Sequence, residues 1–242
     1  MLEIITREIV ADLDTPVSTY LKLCGSGPSF LLESVTGGEN VARYSFIGLE
    51  PSKAFVINGE KTNVHTGPDL NIIKTITGNP FEILRQSLEP YQSETLPNLP
   101  RLVGGLAGYL SYDAVRLFEP NVDLSLHELP DGIFLLCDTM VAFDHTRGQM
   151  IAITYADKNS STDKDLAEAR LHKIESSLTN PLPDSLEPMN PELATEQSHT
   201  RESYEEMVVK AKQHVMNGDI LQVVLSQSFK RKTLAQPFSI YR

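Results

Sequence analysis

Three observations predict an α+β protein. Strand-patterned runs outnumber helical ones, the strands follow one another as hairpins, and the helices are marked by caps more clearly than by long periodic interiors. The expected form is a largely antiparallel, β-sandwich-like domain with surrounding helices over residues 1-180. A proline-rich linker, 181-199, and the incomplete start of a further α+β domain, 200-242, are expected to follow.

Element by element, Thr15 before Pro16 predicts the first helix, because a side-chain cap ahead of a proline suits the first helical position. SFLLESV, RYSFIGL and KAFVING then read as strands. Asn79 before Pro80 repeats the helix-start signal, and VGGLAGYLSYD predicts another strand. GIFLLCDTMVAFD and GQMIAITYA flank the turn-rich DHTRG and predict a hairpin. From Ser161 to Leu178, Ala167, Leu171, Ile174 and Leu178 recur at steps of four, three and four, which makes one core-facing helical stripe. Pro181, Pro183, Pro188 and Pro191 are too close together for a helix and remove donors that a strand would need, hence the linker. Beyond it, Ser203 with Glu206 predicts a capping box, Asn217 and Gly218 the helix end, and DILQVVLSQSF a strand with one apolar face. No stretch repeats itself with a solenoid period.

The 242 residues include 21 basic and 32 acidic side chains, a net charge of −11. Such a surface repels phosphate backbones and anionic lipid, so neither nucleic acid nor membrane is expected as a partner. Residues 200 to 242 run against the trend at +3, leaving −14 for the rest. Only two cysteines, Cys24 and Cys137, occur, far apart in the chain, as in proteins of a reducing compartment. The opening MLEIITREIVADLDTP lacks the basic start and apolar stretch of a signal peptide. No window approaches the roughly 18 apolar residues of a spanning helix. A cytoplasmic protein is expected.

Generic catalytic patterns are sparse. The six histidines show no metal-ligand spacing with cysteines or acids, and His127-Glu128 lacks the second histidine of a metalloprotease helix. Gly104 to Gly108, GGLAG, lacks the lysine and hydroxyl of a phosphate-binding loop, so close backbone packing is the better reading. Neither a nucleophile elbow nor an activated cysteine is evident.

Three strings add more: FLLESVTGGENVARYSFIGLEP (residues 30–51), GGLAGYLSYDAVRLFEP (104–120) and YEEMVVKAKQHVMNGDILQVVLSQSF (204–229). In this order and spacing they resemble anthranilate synthase component I over nearly the whole chain. GGLAGYLSYD is shared with aminodeoxychorismate synthase component I, and GDILQVVLSQ with chorismate-utilising enzymes generally. The resemblance implies a lyase that joins ammonia to chorismate and releases anthranilate and pyruvate. It also implies Mg²⁺, a glutamine amidotransferase subunit (component II) supplying ammonia, and feedback inhibition by L-tryptophan.

By motif position the resemblance assigns Leu32, Glu33 and Ser34 to the tryptophan site, with Arg43, Tyr44 and Ser45 beside them. The residue types suit a zwitterion: a carboxylate for the ammonium, a hydroxyl donor, and leucines against an indole. A plain strand-edge role for Glu33 and Ser34 is the alternative. Gln222 occupies a strand position where related isochorismate-forming enzymes place a lysine base, and an amide does not titrate near neutral pH. Gln222 is therefore either an active-site residue of an amine-using enzyme or only a bridge between strands. The family's long C-terminal portion does not follow Arg242. That implies an N-terminal fragment, inactive alone, with the Mg²⁺ ligands elsewhere and no metal site within these residues. Aminodeoxychorismate synthase component I, or a non-catalytic tryptophan-binding module, remains the alternative.

Overall fold

Every strand pair is antiparallel in the computed structural model, which describes residues 2–25, 27–33, 43–91, 96–119, 121, 129–182 and 194–242. The chain divides into two units, Met1–Leu182 and Pro183–Arg242. In the first unit the elements are β1 (Leu2–Val10), α1 (Pro16–Leu23), β2 (Phe30–Leu32), β3 (Tyr44–Leu49), β4 (Lys53–Asn58), β5 (Lys61–Thr66) and β6 (Ile72–Thr77). They continue with α2 (Pro80–Leu88), β7 (Gly105–Leu110), β8 (Gly132–Cys137), β9 (Thr139–Asp144), β10 (Gln149–Asp157) and α3 (Ser161–Leu178). One five-stranded sheet has the order β1-β10-β9-β3-β2 and the other β6-β5-β4-β8-β7. The α+β class is as expected.

The predicted helix starts hold. Thr15 accepts the Ser18 amide at 3.1 Å and Asn79 accepts that of Phe81 at 2.9 Å. On α3 the stripe Ala167, Leu171, Ile174 and Leu178 is buried as predicted. Leu171, Ile174 and Leu178 pack with Ile47, Val141, Phe143 and Met150 on one face of the first sheet. The other face buries Met140, Ala142, Ile151 and Ile153 beneath Leu99, Leu102 and Val103. A separate core joins α2 through Leu84 to Phe55, Ile57 and Leu136 of the second sheet.

GIFLLCDTMVAFD is not one strand, contrary to the predicted hairpin arm. It breaks at Asp138 into β8, in the second sheet, and β9, in the first. Because β9 is buried on both faces, its apolar run continues that of β8 without an alternation to mark the boundary. The β9–β10 half of the hairpin forms as expected. GGLAG packs closely: a Cβ on Gly104 would lie 2.7 Å from the Tyr155 ring, and one on Gly108 only 1.9 Å from the Ile133 carbonyl oxygen. In this unit three strands escaped the sequence reading, β1, β5 and β6.

The second unit contains β11 (Thr195–Gln197), α4 (Arg201–Asn217), β12 (Phe229–Arg231) and α5 (Pro237–Tyr241), with β11 paired to β12. The capping box at Ser203 and Glu206 is corrected: α4 starts at Arg201, and Thr200 caps it by accepting the Ser203 amide at 3.2 Å. Ser203 is the third helical residue. Gly218 ends the helix in the left-handed conformation, φ 79°, as expected. DILQVVLSQSF is corrected too, since only Phe229 of it lies in a strand. Residues 220–228 find no strand partner among the described residues, and without a ladder the alternating pattern buries no face: Leu221 is 100% exposed and Val224 82%. Most of the expected linker, residues 183–193, and His127 and Glu128 lie outside the described residues. No helix among those described is long and apolar enough to cross a membrane.

Candidate functional site

Of the sequence-predicted residues, Leu32, Glu33, Arg43, Tyr44 and Ser45 gather at one end of the first sheet. Leu32 closes β2 opposite Phe46, while Tyr44 and Ser45 open β3 opposite Asp144 and Phe143 of β9. The antiparallel register therefore brings Leu32 beside Phe46, one residue beyond Ser45. Leu32 is exposed and Glu33 half-buried, whereas Ser34 lies outside the described residues.

Asp144 organises this corner. It is the last residue of β9, and its Oδ1 accepts the Thr146 amide at 3.1 Å, which shapes the turn into β10. Arg43 grips the same carboxylate with two bonds, Nε to Oδ1 at 3.1 Å and Nη2 to Oδ2 at 2.6 Å. The fork of a guanidinium matches the two oxygens of a carboxylate, so the pair fixes orientation as well as charge. Hydrogen bonding from Arg43 holds the Asp144 carboxyl below its usual range, and the same bond raises Arg43. The Arg43 guanidinium also lies over the Tyr44 ring, 4.8 Å from its centroid.

Ser45 is buried, with Oγ 2.8 Å from His145 Nε2. The His145 amide donates to the Arg43 carbonyl at 2.9 Å, and its ring stacks on Phe143 with centroids 6.0 Å apart. Arg43 and Ser45 thus brace the corner, beside which lie Leu32, Glu33 and Tyr44. Asp144 and His145 are the residues of this corner that sequence reading missed. Their only signal was the turn composition of DHTRG, read solely as a hairpin.

Gln222 belongs to the second unit and is exposed in the extended segment 220–228. Tyr204 on α4 donates its hydroxyl to the Leu225 carbonyl at 3.2 Å, laying that segment along the helix. Among the described residues no group of three or more histidines, cysteines or acids could hold a metal ion.

Comparison with known proteins places these features in context. Residues 27–242 match the family described as chorismate binding enzyme. Anthranilate synthase component 1 of Synechocystis sp. is 36% identical over 256 residues, covering 98% of this chain and 50% of that protein. Its namesake from Pseudomonas putida is 34% identical over 245 residues, 97% of this chain and 49% of the relative. The chain spans about half the length of the curated relatives it matches. The crystal structure of anthranilate synthase component I from Streptococcus pneumoniae TIGR4 shares the fold, with TM-score 0.64 and 24% identity over 96% of this chain and 51% of that one.

Proposed function

This chain belongs to the family of chorismate-binding enzymes, and from that premise we propose that it is the N-terminal part of an anthranilate synthase component I. The observation that carries the reading is the similarity, over 97–98% of this chain, to about half the length of proteins of that name. The complete protein would convert chorismate and ammonia to anthranilate and pyruvate in the cytoplasm, with ammonia from a glutamine amidotransferase subunit. Mg²⁺ would be held by carboxylates in the portion of the complete protein that this chain does not span. Gln222, with an amide that does not titrate near neutral pH, cannot activate water, which suits attack by an amine.

L-Tryptophan would be the feedback inhibitor, bound at the end of β2. Glu33 would accept its ammonium, Ser34 would contribute a hydroxyl, and Leu32 with Tyr44 would wall the indole. Arg43 and Ser45 would set the corner's shape through Asp144 and His145 rather than spend their hydrogen bonds on the ligand.

The deciding experiment supplies the full-length natural protein with chorismate, ammonia and Mg²⁺ and follows anthranilate fluorescence. Anthranilate from the longer protein, with none from the 242-residue chain alone, is the expected outcome. Aminodeoxychorismate as product would transfer the assignment to the folate-pathway relative. In the same assay Glu33→Ala should raise the tryptophan concentration for half inhibition by about tenfold or more while leaving uninhibited turnover intact.

A further inference from the structure

A second concavity lies at the far end of β3 from Arg43–Ser45. Its volume is about 500 Å³, and it is bounded by α3, by the connection from α1 to β2, and by the turn after β5. That is room for a small molecule. Leu23, Leu49, Leu70 and Ile174 provide apolar lining, and Gly25, Gly27 and Gly67 keep side chains out of the rim. A Cβ on Gly25 or Gly27 would meet nothing within 4 Å.

Charge enters from one helix. Arg170, Lys173, Ile174 and Ser177 all line the cavity from α3. Their spacing of three, four and seven residues puts them on one face, adjoining the stripe that packs on the sheet. Lys173 Nζ pairs with Glu50, but both side chains are about two-thirds exposed, so the pair exchanges readily with other ions. Arg170 is half-buried and closes no hydrogen bond or ion pair among the described residues. Its charge acts through space on Asp138, whose carboxyl is pushed up by burial and drawn back by Arg170. A guanidinium with its donors uncommitted, beside an ammonium and over apolar side chains, is the recognition chemistry of a carboxylate on an apolar body. Glu50 and Asp69 at the rim offset the two cations, which favours a monoanion over phosphates and other polyanions.

We propose that this cavity binds a small organic monocarboxylate, its carboxylate gripped by Arg170 with Lys173 in support and its apolar body resting on Leu49 and Ile174. The site is separate from the β2–β3 corner and does not depend on the anthranilate synthase reading. Benzoate is a suitable probe, titrated into the ¹⁵N-labelled 242-residue chain and followed by amide shifts, with benzamide as the uncharged control of the same shape. Saturating shifts are expected at Gly25, Gly27 and Thr139 with benzoate and not with benzamide. Arg170→Gln should weaken them about tenfold and Lys173→Gln by a smaller factor, the remaining spectrum of each variant staying native. Failure to saturate by about 10 mM, equal binding of benzamide, indifference to Arg170→Gln, or shifts centred on Glu33 and Tyr44 would each overturn the proposal.

Discussion

Asp144 meets three demands at once: it ends β9, shapes the following turn and receives the Arg43 fork. Its side chain is only 2% exposed, so the carboxylate depends on these partners for the solvation it has lost. Asp144→Asn keeps the shape and one acceptor but removes the charge, and should lower unfolding free energy at pH 7 by about 1–2 kcal/mol. The folded carboxyl titrates below its unfolded value of about 3.9, so its contribution is complete above roughly pH 4 and is lost as pH falls through the folded value. Urea unfolding of both proteins over a pH series should therefore show the difference closing in acid; a gap as wide at pH 3 as at pH 7 would contradict the pairing. The pairing was not legible in the sequence, because Arg43 and Asp144, 101 positions apart, are brought together by the β3–β9 register. LLES and RYS could be found as strings, while the residues that brace them could not.

At the scale of elements, caps and stripes were legible because they are local: Thr15, Asn79 and the α3 apolar stripe each declare themselves within a few residues. β6 was not, since five of its six residues are exposed at a sheet edge and it carries no alternation. β1 mixes half-buried and exposed positions with charges that were read only as evidence against a leader. The glycines of β7 were read correctly as backbone contact, and they make a sharp test of register. Gly108→Ala would press a methyl into the Ile133 carbonyl on the paired strand, and should cost at least about 2 kcal/mol in denaturant unfolding. Gly25→Ala, with open space around the added methyl, should change stability by less than about 0.5 kcal/mol. Equal costs at the two positions would mean that β7 does not approach β8 as described.

At the scale of the whole molecule, the buried hydrophobic side chains among the described residues all belong to the first unit, the last of them being Leu178. The second unit exposes Leu221, Val224, Phe229 and Leu234 instead. A chain ending at Leu182 should therefore keep its calorimetric midpoint within about 2 °C of the 242-residue chain, and a fall of about 5 °C or more would show that residues 183–242 carry stability that burial does not register. The first sheet has an additional property. Among the described residues β1 is an edge strand paired only with β10, and Leu2 sits opposite Asp157. A ribosome makes β1 well before β10, so the strand can enter its ladder only after some 150 further residues have been added, roughly 8–30 s later at ordinary elongation rates. β1 is thus finished long before its partner strand exists, and it spends that interval as an unpaired strand for nascent-chain factors to shield.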